Sequence, residues 1–352
     1  MRAFLPQPIN TDSTSDPPPP KRRQILKLNK VIVATCAVGA LLAPLAGRAA
    51  GEPSFPTKSI TFVVPFPAGG VIDATARMIA EKLQSQMKTT ILVDNRPGAG
   101  GTIGAALVAR APADGYTYLI GDASTLVYSP VIFKNAKYDP VKNLAPIGQI
   151  SYGPLVVLVG PKSQAKTANE LMTDLVSGGQ KIDYASNGNG STPHLATEMF
   201  KQSTGVKSVH IPFSGGPAAM TALAAGDITY SINHIPLAMS MIATGRVKPL
   251  ATTGAKRSPT FPELPTLNEI GVKGFEAYSW IGLFAPTGIP SPIQQKMTAE
   301  LKTALQDPGL QKKMAGLGDV AFYRSPDDLN RYVAAEIARW VPIIRTSGIS
   351  LD

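Results

Sequence analysis

Two hydrophobic periods alternate along this chain. SITFVV at 59–64 is rich in β-branched and aromatic residues and predicts a strand. Residues 65–70 read as a turn, and over 71–86 apolar residues recur at helical spacing (Ala76, Ile79, Ala80, Leu83). A second strand is predicted at 90–93, a loop at 96–101, a helix at 103–109 and a third strand at 116–120. This is the order of an α/β unit with a largely parallel sheet. The pattern restarts after Pro154. Strands are predicted at 155–159, 183–185, 209–212, 228–232 and 247–252, and helices at 167–175, 193–202, 217–225 and up to 243. An apolar, aromatic stretch at 278–284 and a Pro-rich stretch at 285–292 follow. The remainder is helical, at 293–305, 310–315 and 326–344. A helical tail needs a partner for its apolar face, and the first α/β unit is the simplest one. The expected division is therefore a leader at 1–49, the first part of lobe 1 at 50–153, lobe 2 at 154–277, and a return to lobe 1 at 278–352. Two crossings, near 150–159 and 278–284, would form a hinge between the lobes.

Composition narrows the class. The 352 residues are 44% hydrophobic and 16% charged, which excludes general disorder. The formal charge of +10 suggests a nucleic-acid partner until its position is considered. Residues 1–49 hold seven basic and two acidic residues, which leaves 27 basic and 22 acidic residues in the remaining 303. Those basic residues are scattered, with no stripe interleaved with aromatics, so no nucleic-acid partner is expected. The segment 21–30 is basic, 31–45 is apolar, and Gly47 and Ala49 occupy small-residue cleavage positions. This order predicts an export signal removed near Ala49. Arg22 and Arg23 resemble a twin-arginine signal, and a general secretion signal fits as well. The chain's one cysteine, Cys36, would leave with the signal, so the mature protein has no disulfide and suits the periplasm, with no stable membrane insertion.

Three loops carry candidate binding chemistry. Phe66-Pro-Ala-Gly-Gly70 lies between a strand and a helix. Glycine lets a ligand approach the backbone, and the first amides of a helix are unpaired, so the amides around Ala68, Gly69 and Gly70 suit an anion. Asp73 follows in the first helical turn, either complementing the helix dipole or touching the ligand. Ser186-Asn-Gly-Asn-Gly-Ser-Thr-Pro-His194 places Gly188, Gly190, Ser191 and Thr192 before a helix that begins with Pro193, an arrangement that suits a small anion nest. Ser214-Gly-Gly-Pro217 repeats it. An ordinary helix start explains any one of these loops; three of them, each after a strand, point to a shared site. No phosphate loop, dinucleotide fingerprint, zinc motif or nucleophile elbow occurs, so no cofactor, no metal and no catalysis are expected. His194 reads as a residue that holds its loop by a hydrogen bond.

These residues resemble the Bug/TctC family, the periplasmic receptors of tripartite tricarboxylate transporters. The resemblance runs from Phe55 to the C-terminus through FPTKSITFVVPFPAGGVIDATAR, DNRPGAGGTIGAALVARAPADGYTYLIG, YASNGNGSTPHLATEMF, VHIPFSGG and FPELPTLNEIGVKGFEAYSWIGLFAPTGIP. It implies a type II periplasmic-binding-protein fold, two α/β lobes with a ligand cleft between them, and a small organic anion, commonly a carboxylate, held by loop amides, hydroxyls and bridging waters. It implies membrane transporter subunits as partners, and we expect a monomer. Carried onto this chain, the ligand residues are Phe66, Ala68, Gly69, Gly70 and Asp73, then Asp122 and Ser124 after the third strand, and Ser186, Gly188, Gly190, Ser191, Thr192 and His194 in the second lobe. Phe213, Ser214 and Asn233 complete the expected ligand set, and they carry two departures. Phe213 and Ser214 replace a tyrosine and lysine common among relatives, and Asn233 replaces an acid. Loss of that acid disfavours an amino-acid ligand whose ammonium needs a carboxylate. A sensory subunit presenting its ligand-bound form to a receptor is the alternative within the fold, and a secreted hydrolase using Ser191 or Ser124 is the alternative outside it.

Overall fold

Parallel strands buried on both sides need helices on both faces, and most strands of this chain are followed by a helix. The computed structural model describes residues 55–177, 182–316, 318–346 and 349; the expected leader at 1–49 lies outside the described residues. The first half opens with β1 (Ile60–Val64), α1 (Val71–Met87), β2 (Ile91–Asn95), α2 (Thr102–Ala109) and β3 (Thr117–Asp122). β1 pairs in parallel with both β2 and β3. A π-helical turn (Ser124–Tyr128), α3 (Ser129–Ile132) and α4 (Pro140–Asn143) follow, none of which the hydrophobic pattern predicts.

β4 (Leu144–Val159) is the pivot of the molecule. The sequence pattern predicts a new strand after Pro154; instead one sixteen-residue strand runs through that proline. Proline cannot donate to a ladder, so it interrupts only strands that need its N–H, and here β4 changes partner at that point. Up to Pro154 it pairs antiparallel with β9 (Tyr278–Pro286), and from Leu155 it pairs antiparallel with β7 (Tyr230–His234). The strand order is β2-β1-β3-β9-β4-β7-β5-β6, with β5 at Asp183–Ser186 and β6 at Val209–Pro212. β8 (Lys248–Thr252) and β10 (Ala321–Arg324) also pair with β4, on its second and first halves respectively. The curled sheet thus has two halves, each dressed with its own helices. These are the two lobes of a solute-binding-protein fold.

The second half carries α5 (Ala168–Ser177), α6 (Thr192–Thr204), α7 (Gly216–Ala225) and α8 (Ile235–Ala243). After β9 come α9 (Ser291–Leu305), α10 (Pro308–Gly316) and α11 (Pro326–Thr346). α11 buries Leu329, Val333, Glu336, Trp340 and Ile344, a stripe at spacings of three and four, against β4 and the π-helical turn. Trp340 meets Tyr128 edge-to-face with centroids 5.1 Å apart. That contact fixes the turn from behind, and the front of the same turn faces the site. Thr253 ties the two crossings together: its hydroxyl donates to Ala277 O at 2.7 Å and accepts from Leu155 N at 2.8 Å. Beside it Tyr152 and Tyr278 stack at 4.4 Å.

Candidate functional site

Four strands, β1, β5, β6 and β7, each lead into a helix at their carboxyl ends, and the starts of α1, α6, α7 and α8 meet around one cleft. Gly70, Val71 and Ile72 come from α1; Ser191, Thr192 and Pro193 from α6; Gly215, Gly216 and Pro217 from α7; and His234 and Leu237 from the start of α8. Phe66, Pro67, Asp122, Ser124 and Asn187 complete the wall. Among the described residues the wall contains no lysine and no arginine. Helix starts carry unpaired N–H groups and a partial positive charge, so converging them builds an anion site from neutral groups.

The predicted residues separate into those that face the cleft and those that hold the wall. Phe66, Gly70, Asp122, Ser124, Ser191 and Thr192 line the cleft. Asp73 does not. It is 4% exposed, and its carboxylate accepts from Gly69 N at 2.9 Å, Arg77 Nε at 3.1 Å and Asn95 Nδ2 at 3.0 Å. Burial raises its pKa, but the bonds from Arg77, Gly69 and Asn95 outweigh that and hold it below the usual carboxylate range. Asp73 therefore fixes the loop and occupies Arg77, which pairs with it at 2.9 Å. Ala68 and Gly69 sit on the exposed loop tip. The conformational demand falls on Gly69, with φ of 82°, whereas Gly70 has an ordinary φ of −79°.

In the second lobe Ser186, Gly188, Gly190 and His194 lie behind the wall. His194 Nδ1 accepts from Gly190 N at 3.2 Å, the loop-holding geometry. Its ring stacks on His210 at 4.0 Å, and His210 Nε2 sits 2.6 Å from Ser186 Oγ. Burial first, then the nearby His210 and Lys201, push His194 down to about 3, so it is neutral at physiological pH. Gly190 needs its φ of 76°, and an added Cβ would stand 3.3 Å from Ser129 Oγ. Phe213 and Ser214 do not reach the cleft wall. Asn233 acts one step back: it exchanges amide bonds with Asn187 at 2.9 and 3.2 Å and so orients Asn187, which does line the cleft. Burial pushes His234 down to about 4. Asp122 is buried; its Oδ1 accepts from Thr125 N and Thr125 Oγ1, each at 3.0 Å. Burial raises its pKa against those bonds and those from Ser124.

Sequence reasoning missed Pro67, Val71, Ile72, Asn187, Gly215, Gly216, Pro217, His234 and Leu237 as lining. One signal was present. Pro193, Pro217 and Pro236 each occupy the second position of a helix that follows a strand, so the start of α8 belongs with the other two.

Two lobes with a cleft at the ends of their strands, lined by helix starts, define a solute-binding protein. The chain belongs to the tripartite tricarboxylate transporter receptor family, TctC, whose model matches residues 75–349. It is 31% identical over 299 residues to protein BugT of Bordetella pertussis, covering 85% of this chain and 92% of that one. Among solved structures it is similar to an R. palustris protein with adipate, at 34% identity and TM-score 0.81, covering 84% of this chain and 99% of that one. It is also similar to MatC of Rhodopseudomonas palustris with bound malate, at 31% identity and TM-score 0.77, covering 82% and 100%. The family consists of receptors, so this chain is a binding protein and not an enzyme.

Proposed function

We propose that this protein captures a small organic carboxylate in the periplasm and delivers it to a tripartite tricarboxylate-type membrane transporter. One observation carries the reading: four helix starts converge on a cleft that has no cationic side chain among the described residues. Hydrogen bonds from neutral amides to a charged acceptor contribute roughly 1.5–3 kcal/mol each, so several replace one arginine. Arg77 and Arg96, on the helix that follows the first loop and just after the next strand, are paired with Asp73 and Asp94. The adipate and malate bound by two similar structures support a dicarboxylate. Lobe 1 is assigned to 50–153 and 278–352, lobe 2 to 154–277, and the leader at 1–49 directs export.

A thermal-shift screen of aliphatic and aromatic carboxylates, followed by calorimetry on the hits, tests the binding step. The expected result is a saturable melting-temperature rise with one class of carboxylate. A rise with cationic or uncharged solutes alone would overturn the reading. The transport step is tested by growth on the identified acid, which should be lost equally on deleting this protein or its membrane component.

A further inference from the structure

Surface helices normally turn a polar face to water, and α2 does not. Its sequence is TIGAALVA, and the two residues it leaves exposed, Ile103 and Leu107, are aliphatic and one turn apart, at 55% and 40% exposure. Leu92 on β2, 52% exposed, joins them. Ile91 and Val93 pack with α1 on one side of the sheet, so Leu92 points to the other side, which α2 covers. Ile103 lies against the loop that leaves β2: a Cβ on Gly98 would stand 2.5 Å from its Cδ1. The patch adjoins the cleft. Gly101, the residue before α2, is packed so closely that a Cβ there would stand 2.4 Å from Thr125 Cγ2 and 3.3 Å from Phe66 Cζ, and Phe66 lines the cleft.

We propose that this patch is where the membrane component of the transporter docks, through an apolar segment flanked by an acidic residue. The inference rests on the capture-and-delivery reading above and names the surface that delivery uses. Three observations select that occupant over a second copy of this chain. The first is size. Stable pairs bury about 800 Å² on each partner, and three aliphatic side chains, each roughly half exposed, supply well under half of that. A receptor that must leave its transporter to reload needs a contact of this transient kind. The second is charge. Arg110 is exposed one turn beyond Leu107 and has no acidic partner among the described residues. Its Nε donates to Ala106 O at 2.9 Å, which holds the guanidinium in place and leaves its outer N–H groups for a carboxylate on the partner. The third is the sheet edge. β2 ends the strand order, and its sequence ILVDN has neither the lysine nor the proline that commonly guards an edge. An extended segment beside Leu92 therefore meets backbone groups as well as aliphatic ones.

A photo-crosslinker reads the occupant directly and needs no solute. p-Benzoylphenylalanine is placed at Leu107 of the full chain, in cells that also produce the membrane components, and the irradiated products are identified by mass spectrometry. The control carries the same probe at Val176 on α5, which is 64% exposed on the second half of the sheet. The expected product joins this chain to a membrane component, at a yield about tenfold above the control. Ile103→Glu or Arg110→Glu in the probe-bearing chain should lower that yield about tenfold, since each sets a carboxylate against the acidic, apolar partner. Circular dichroism and an unchanged melting temperature show that each variant is folded. A product joining two copies of this chain, an adduct with lipid, a yield no greater than at Val176, or a yield that neither variant lowers would each overturn the proposal. Those results leave the carboxylate screen untouched, and a failed screen with the crosslink retained would overturn the carboxylate reading alone.

Discussion

Replacing His194 by asparagine should change the pH dependence of stability by a predictable amount. In the folded protein the imidazole is held near 3 against 6.5 for a free one, chiefly by burial. A histidine depressed by folding contributes stability that is fully present above its unfolded value and is lost as pH falls below about 6.5, because only the unfolded chain then takes up the proton. Between pH 7.5 and pH 5.0 this linkage amounts to about 2 kcal/mol for one residue. Other groups titrate in the same window. His210 and His234, both pushed down to about 4 by burial, act in the same direction. Asp319, pushed up to about 6 by burial, acts in the opposite one. Wild type and variant share those contributions, so they largely cancel in the difference. Glu198 and Lys201, whose charges act on the His194–His210 pair, are likewise retained. Asparagine keeps an acceptor for Gly190 N, although it loses the stacking on His210 and so lowers stability at both pH values. Urea denaturation of both proteins at pH 7.5 and 5.0 is the assay. The wild-type advantage is expected to shrink by about 2 kcal/mol at the lower pH. An advantage of the same size at both values would show that His194 is not a buried neutral residue, and the account of the loop would fail with it.

Three further outcomes are expected. Gly70→Val should weaken carboxylate binding more than tenfold in calorimetry with little change in melting temperature, since the backbone there has an ordinary φ and a new Cβ would meet nothing closer than Pro67 O at 3.7 Å. Ser191→Ala should cost about 1 kcal/mol in urea denaturation, because Ser191 Oγ caps α6 and also donates to Gly188 O at 2.7 Å. Trp340→Ala should cost about 3–5 kcal/mol, the usual range for a fully buried aromatic; a loss below 1 kcal/mol would show that α11 is not anchored as described.

Much of the architecture was legible because each element states its period locally. The helix read at 71–86 forms over Val71–Met87, and the strand read at 209–212 forms over Val209–Pro212. The failures share a cause. β4 passes through Pro154 because its partner changes there, and β10 forms because β4 offers an edge; neither fact is written in the local sequence. The strand read at 228–232 is displaced to Tyr230–His234 for a similar reason, since its register is set by β4. The site divides likewise. Glycines, hydroxyls and helix-start prolines marked loops that contribute to the wall of this cleft. Which amides are free was hidden, because Thr192 N finds its acceptor 68 residues away in the other lobe. Asp73 misled for the same reason: its partner Asn95 arrives on the neighbouring strand.

The most direct test is a crystal structure with the best carboxylate from the screen. The account predicts carboxylate oxygens within hydrogen-bond distance of backbone amides at Gly70 to Ile72 and at the start of α6, α7 or α8, with no lysine or arginine side chain in contact. A carboxylate held by a cationic side chain, or bound outside this cleft, would contradict it.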